Sequence, residues 1–410
     1  MPRYDDSMAD PGFDVPFSST VDVSGGGGAL ATAVVAAGVN TRLRIMDSLT
    51  YDPVTVAGKT NLSIVANVGE TPVISRPPPA SFPSTLPGWA LRISGVVTGL
   101  KLSGLKFIDH GNRNSLSFPD NGLVSSREDC TGLTNVIIED CAFEEASDSP
   151  LNGLNGILLA SGGSGAPDFD KVVVRRCTFD TLGAGANNTG ENLGAISIFG
   201  FGTVWIQNCW IKRTNALVAR ASSHQRGVVI RNVNTVVENV LSDDLGTAGS
   251  NESFKTISSS GPQYGSAVGS ATLRNCVAHQ SKRGYRAEQP ASGMAVSNSV
   301  FHTENLSITD RAFRLTATAA LLVKNCVGVG GGDGTAFENA AILEDHNDIF
   351  NFAALGKTLD ATDLQRNPVF ADVAGHIWEA TDALVAVGAS DGGAMGVRYT
   401  PSGEQIIWAA

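Results

Sequence analysis

VIIEDCAF (136–143), VVVRRCTF (172–179), VWIQNCWI (204–211), VVIRNV (228–233), ATLRNCVA (271–278), MAVSNSVF (294–301) and LLVKNCVG (321–328) are variants of one phrase. Each runs through alternating apolar residues, reaches Asn or a stand-in, and continues with Cys or another small residue. The copies begin 23 to 43 residues apart, too short a unit to enclose a core of its own. Alternation with period 2 makes each copy a strand. Stacking such units predicts an all-β chain: a single-stranded, right-handed parallel β-helix, or solenoid.

Composition agrees. The 410 residues include 46 Gly, suited to a fold that turns a corner several times per coil. A net charge of −11 argues against general nucleic-acid binding, which needs basic surface to displace counterions. No apolar run reaches the ~20 residues that a membrane-spanning helix requires. Of the six cysteines, Cys141, Cys177, Cys209, Cys276 and Cys326 follow the corner residue and Cys130 stands apart. Their spacing matches no metal-binding pattern, so they read as small residues stacked inside a turn.

The chain divides into an N-terminal arm (1–25), a capping helix from GGGALATAVVAAG (26–38), coils (39–345) and a C-terminal closure (346–410). The arm lacks the basic start and apolar core of a secretory leader, which points to a virion surface or to an extracellular protein whose leader has been removed. Each coil carries three strands: one before the corner, one after it, and a third beyond a variable loop. The third-strand copies are GILLAS (156–161), GAISIFG (194–200), ALVARAS (216–222), SFKTISS (253–259), GYRAE (284–288), AFRLT (312–316) and AFENAAI (336–342).

The corner residues Asn208, Asn232, Asn275, Asn298 and Asn325, with the closing NPVFAD (367–372) and DGGAMGVR (391–398), resemble the pectate-lyase-like family of right-handed parallel β-helices. Asp140 and Arg176 interrupt the Asn ladder in two coils. The resemblance implies the fold and leaves function open, because lyases, hydrolases, epimerases, tailspikes and non-catalytic proteins share it.

Two faces carry candidate function. On the third strand Phe254, Tyr285, Phe313 and Phe337 align and should point inward, which turns Lys255, Arg286 and Arg314 outward as a cationic file beside Glu288, with Arg220 one coil earlier. Such a file suits an acidic polysaccharide. In a β-elimination Lys255 and Arg286 would be the catalytic pair, base and carboxylate neutraliser, with Tyr264 or His224 as acid. On the first strand Ile137, Val173, Trp205, Val229 and Leu322 form an apolar stripe that calls for a cover, such as a neighbouring subunit of a homotrimer or a virion neighbour; Trp205 could also stack on a sugar.

Other motifs are weaker. Asp243 and Asp244 are adjacent carboxylates on a loop, and Asp109-His110 echoes a pectate-lyase phrase without its acidic cluster. Asp180, Asn187, Asn188 and Glu191 offer oxygen ligands without the spacing of a calcium loop. No cofactor is required, and Ca2+ is left open. Three functions follow as expectations: a virion-surface or tail-spike protein binding host polysaccharide, a secreted polysaccharide lyase, and a non-catalytic structural decoration.

Overall fold

A computed structural model describes residues 17–76, 89–109, 122–145, 155–160, 169–180, 194–200, 202–212, 226–231, 234–246, 252–257, 270–281, 283–288, 294–303, 311–315, 321–332, 334–339, 341–373 and 377–397. It is the right-handed parallel β-helix that the repeat predicts, with every named pairing inside the solenoid parallel. The first sheet runs from Ser19–Val23 through Thr41–Ile45 and Thr60–Ala66 to Leu321–Lys324 and Ile342–Asp345. The second contains Lys106–Asp109, Ala142–Glu145, Val277–Ser281, Val300–Thr303 and Val327–Gly330. The third contains Asn155–Ala160, Ile196–Phe199, Arg226–Arg231, Glu252–Ile257, Arg283–Glu288 and Arg311–Leu315.

Alternation decides what enters the core. Leu100, Val136, Val172, Val204, Val237 and Leu273 are buried from successive first strands. Each such side chain contributes about 1.5–3 kcal/mol relative to an exposed one. Phe107, Phe143 and Phe179 stack inside the second sheet with centroids 5.0 and 4.7 Å apart, one ring per coil.

The corner after the first strand is a column of left-handed residues. Asp140, Arg176, Asn208, Asn239, Asn275, Asn298 and Asn325 all have φ between 47° and 55°. Asn tolerates this region better than most residues, and its amide can bond up and down the stack. The Asn239 amide donates to Asn208 Oδ1 (2.9 Å), and Asn275 donates to Asn239 (2.8 Å). Where the ladder has no Asn, Arg176 grips the Asp140 carboxylate through two bonds of 2.8 and 3.0 Å. The cysteines are free and buried, and burial pushes the Cys276 and Cys326 thiols up to about 12, as befits packing rather than chemistry.

Three expectations need revision. The arm is shorter than 1–25, because Ser19–Val23 pairs with Thr41–Ile45 as the opening strand; the helix itself is Ala29–Ala36, with Leu30 and Val34 buried. VVIRNV is a third strand, not a first, since Val229 pairs with Ser197 and Lys255. Val229 therefore leaves the first-sheet stripe and Val236 replaces it between Trp205 and Thr272. Both segments alternate and both reach an Asn, so periodicity could not separate them; the positive φ and ladder bonds of Asn239 do. Asn232 and ALVARAS (216–222) lie outside the described residues. Finally, the closure is split. Ala354 and Leu364 bridge to Thr335 and Asp348 of the last coil, with Phe352, Leu355 and Leu359 against the core. Residues 370–373 and 377–397 instead fold back along the outer face of the second sheet, where Trp378, Val385, Met395 and Val397 cover Leu241, Val277, Val300 and Val327.

Candidate functional site

On the third sheet, Phe254 pairs with Tyr285, Tyr285 with Phe313 and Phe313 with Phe337, and all four rings are buried. The inward column fixes its neighbours. Lys255, Arg286 and Arg314 occupy one outward file, as the alternation predicts. After Arg92, which is paired with Asp129, the file is uncharged through Ser125, Leu158, Ser197 and Val229, and charge resumes at the coil of Glu252–Ile257.

A second file lies three residues ahead of the first: Arg226, Glu252, Arg283 and Arg311 pair in succession. Gly227 and Gly284 let these corners close, since a Cβ would lie 2.5 Å from Ser253 O in one case and 2.4 Å from a Phe301 ring carbon in the other. Glu252 is fully buried and serves as the hub. Arg226 Nε donates to its Oε2 (3.0 Å), while Arg283 and Arg286 each donate to Oε1 (2.7 Å). Glu288 is paired with Arg286 and with Lys255 Nζ (3.1 Å). In the following coils Arg314 and Arg311 approach Glu338 at 2.9 and 3.6 Å.

Burial would raise the Glu252 carboxyl, but Arg226, Arg286 and Lys255 overcome it and hold it at about 2. Burial and the nearby Arg226 hold the Lys255 ammonium below its ordinary value against the opposing pull of Glu252 and Glu288. Burial and Arg283 likewise lower Arg314. Among the described residues the cluster joins six cations to three carboxylates, a surplus of three positive charges on a chain of net charge −11. The carboxylates are unevenly placed. Glu252 draws Arg283 and Arg286 toward the coil below, Glu288 pairs with Arg286 along their own strand, and Glu338 draws Arg311 and Arg314 toward the coil above. Between these two arginine pairs runs a seam, about 4.8 Å wide by strand spacing, that no described carboxylate crosses.

The first sheet handles charge differently. Its outward row sets opposite charges on neighbouring coils, with neutral Gln207 and Ser297 between the pairs: Glu139 with Arg175 (2.6 Å), Glu238 with Arg274 (3.1 Å), Lys324 with Asp345 (2.6 Å). That row is self-neutralised.

The structure thus brings Lys255, Arg286, Arg314 and Glu288 together. Lys255 is fully buried, whereas the Arg286 and Arg314 side chains keep 13% and 22% exposure. Trp205 lies on a different wall, packed against Ile137 and Val173 of the first sheet. Arg220, His224, Tyr264, Asn187, Asn188 and Glu191 lie outside the described residues. Asp180 stands 4.0 Å from Lys212, buried Asp109 faces Arg76 at 3.8 Å, and Asp243 is bonded to His279. No group of His, Cys, Asp or Glu among the described residues is arranged to hold a metal. Sequence reasoning passed over Arg226, Glu252, Arg283 and Arg311. The signal was present in ESFK (252–255), RGYR (283–286) and RAFR (311–314), which repeat a charge, a small residue, an aromatic and a base in consecutive coils.

No protein-family model matches this sequence, and neither does any curated protein sequence. Among solved structures, pectate lyase Pel9A superimposes with a TM-score of 0.56 and 13% identity, over 95% of this chain and 96% of its own. An alginate lyase from Paenibacillus sp. str. FPU-7 gives a TM-score of 0.47 and 11% identity, over 80% of this chain and 99% of its own. The fold is the right-handed parallel β-helix that Pel9A also has.

Proposed function

We propose that the third sheet binds an acidic polysaccharide, which lies over the seam between Arg283/Arg286 and Arg311/Arg314. The observation that carries this reading is that, among the described residues, six cations stand in register around three carboxylates on this sheet. Guanidinium groups, planar and permanently charged, suit carboxylates and sulfates. That Pel9A, a pectate lyase, has the same fold along nearly the whole chain agrees with a polysaccharide ligand.

The cluster also contains parts for β-elimination. A base takes the C5 proton of a uronate, the C4–O bond breaks as the C4–C5 double bond forms, and the leaving oxygen takes a proton. Arg286 would neutralise the carboxylate, and Lys255, held below its ordinary range, would be the base. Lys255 Nζ is engaged by Glu288 and shielded from solvent, so this step requires the bound chain to displace Glu288. Binding without cleavage, in a virion spike or decoration, is the second reading. It is favoured by Leu322 and Leu343, exposed on successive first strands as an assembly contact would leave them in the lone chain.

The test presents immobilised alginate, polygalacturonate and hyaluronan beside neutral dextran at low and high salt. The reading expects retention on one or more acidic polymers, weakened by salt; equal retention on dextran, or none on any polymer, defeats it. Ultraviolet absorbance of the new double bond separates lyase from binder, and Lys255→Ala must abolish it if Lys255 is the base. Light scattering that shows a single subunit at every concentration removes the trimeric spike.

A further inference from the structure

The two ends of the solenoid are finished differently. At the C-terminal end the last first-sheet strand, Ile342–Asp345, has its outer edge engaged. Lys357 Nζ donates to Ile342 O and pairs with Glu344, and His346 N–H donates to Thr362 Oγ1 (3.3 Å). A lysine and a loop laid over the edge are devices that stop a strand from recruiting another chain. At the N-terminal end the opening strand, Ser19–Val23, pairs on one side only among the described residues, with Thr41–Ile45, and its first four residues are exposed. It contains no Lys or Pro, and its one charge, Asp22, is tied to Arg44 of the next coil (2.8 Å). Val21 continues the core column of Leu43, yet it is 43% exposed where Leu43 is fully buried. Val35 and Val39 add exposed apolar surface, and Val39 O accepts from Ser18 Oγ beside the strand (3.2 Å).

We propose that this edge takes the same edge of a second copy of the chain, antiparallel, about a two-fold axis at Val21. The backbone selects the register. Met46 N–H donates to Val23 O, so Val23, Val21 and Ser19 turn their backbone groups toward Thr41–Ile45. Successive residues of a strand address opposite edges, which leaves the N–H and C=O of Thr20 and Asp22 on the free edge. An axis at Val21 sets each Thr20 against the second copy's Asp22, and these two pairs complete four backbone hydrogen bonds. An axis at Asp22 would put two carboxylates face to face. An axis at Thr20 would carry Asp22 past the end of the facing strand, opposite Ser18.

A two-fold axis perpendicular to the sheet keeps inward side chains on the inward side. Val21 then meets its counterpart where each core column ends, and apolar surface that one chain leaves in water is covered. The contact is isologous and closes at two subunits. A head-to-tail stack, which would grow into a filament, is opposed by Lys357 and the loop over the other end. A contact built on one five-residue strand is small, so it dissociates on dilution.

Light scattering of the full chain over a concentration series reads the assembly, and hydrogen exchange of 19–23 at the same concentrations reads the edge. The mass should rise from one chain toward two, and exchange at Thr20 and Asp22 should slow in step, while Thr60–Ala66 stays unchanged. Thr20→Pro removes a free-edge N–H and no bond to Thr41–Ile45, and should weaken association about thirtyfold or more. Thr20→Asp keeps the backbone intact, stands beside Arg42 of its own chain and faces the second copy's Asp22. It should weaken association about tenfold, and it replaces the Pro variant if that one disturbs the strand. A single subunit at every concentration, a mass that passes two subunits, or association that survives both substitutions overturns the proposal. So does slow exchange at Thr20 and Asp22 in the dilute single chain, which would mean that another segment of the same chain covers the edge.

Discussion

Replacing Glu252 by Gln should be among the most damaging near-isosteric changes in this chain. The side chain is fully buried and accepts from Arg226, Arg283 and Arg286. Gln preserves the volume and removes the charge, leaving Arg226 buried with Lys255 close by and no hub between them. Two routes give the size. Depressing the carboxyl from 4.5 to about 2 corresponds to about 3 kcal/mol at neutral pH. Removing one partner from a buried ion pair costs about 3–5 kcal/mol. The sign with pH follows from the lowered value: the stabilisation is fully present above 4.5 and is lost as pH falls through about 2. Urea unfolding of wild type and Glu252→Gln should therefore differ by about 3 kcal/mol at pH 7 and converge near pH 2. Because coils of a solenoid can open in part, exchange in Arg226–Arg231, Glu252–Ile257 and Arg283–Glu288 locates the loss. A difference below 1 kcal/mol at pH 7, or one independent of pH, refutes the hub.

Asn239→Ala deletes two coil-to-coil amide bonds and leaves a Cβ residue at φ 55°, and should cost about 2–3 kcal/mol in urea unfolding. Asp348→Asn should gain stability at high pH: the folded carboxyl is raised to about 6, so its favourable contribution exists below 3.8 and disappears as pH rises through 6. Thermal melts should show a gain of about 1–3 kcal/mol at pH 8 and almost none at pH 4. Asp140→Asn with Arg176→Asn restores the ladder residue at both interrupted corners, and the pair should lie within about 1 kcal/mol of wild type, while Asp140→Ala alone is worse, as a double-mutant cycle will show.

The solenoid was legible because its signal is repeated: seven imperfect phrases, each with period 2, leave one stacking solution. The inward column of Phe254, Tyr285, Phe313 and Phe337 followed from the same alternation, and with it the outward placement of Lys255, Arg286 and Arg314. Two things were not legible. Alternation does not say which wall a strand belongs to, hence the misassignment of Val229, whose segment is as apolar and as Asn-terminated as its neighbour 234–240. Nor does it say how far a long side chain reaches. Glu252 lies three residues before Lys255 on the same strand, yet it takes Arg286 from the next coil, and that convergence depends on rotamers and burial. The fold-back of 370–373 and 377–397 was hidden because its cover is spread over four coils, one apolar residue from each.

The seam can be judged by the energy it holds. Two guanidinium charges about 5 Å apart repel by about 3 kcal/mol at an effective dielectric of 20, and side chains that diverge toward separate carboxylates reduce this without cancelling it. A surface selected for stability alone would place an acid opposite one of the arginines, as the first sheet does at Glu139–Arg175 and Lys324–Asp345. Arg314→Gln tests which pressure applies. It removes one member of the Arg286–Arg314 juxtaposition and loses a part-exposed bond to Glu338, which Arg311 still approaches. Part-exposed pairs contribute about 0–1 kcal/mol, so stability should move by less than about 1 kcal/mol in either direction. Affinity for an acidic polymer should fall tenfold or more if the surplus charge is the binding determinant. If Arg314→Gln instead destabilises the third sheet by 2 kcal/mol or more and leaves polymer binding intact, the arginines are structural, and the seam has no ligand to explain it.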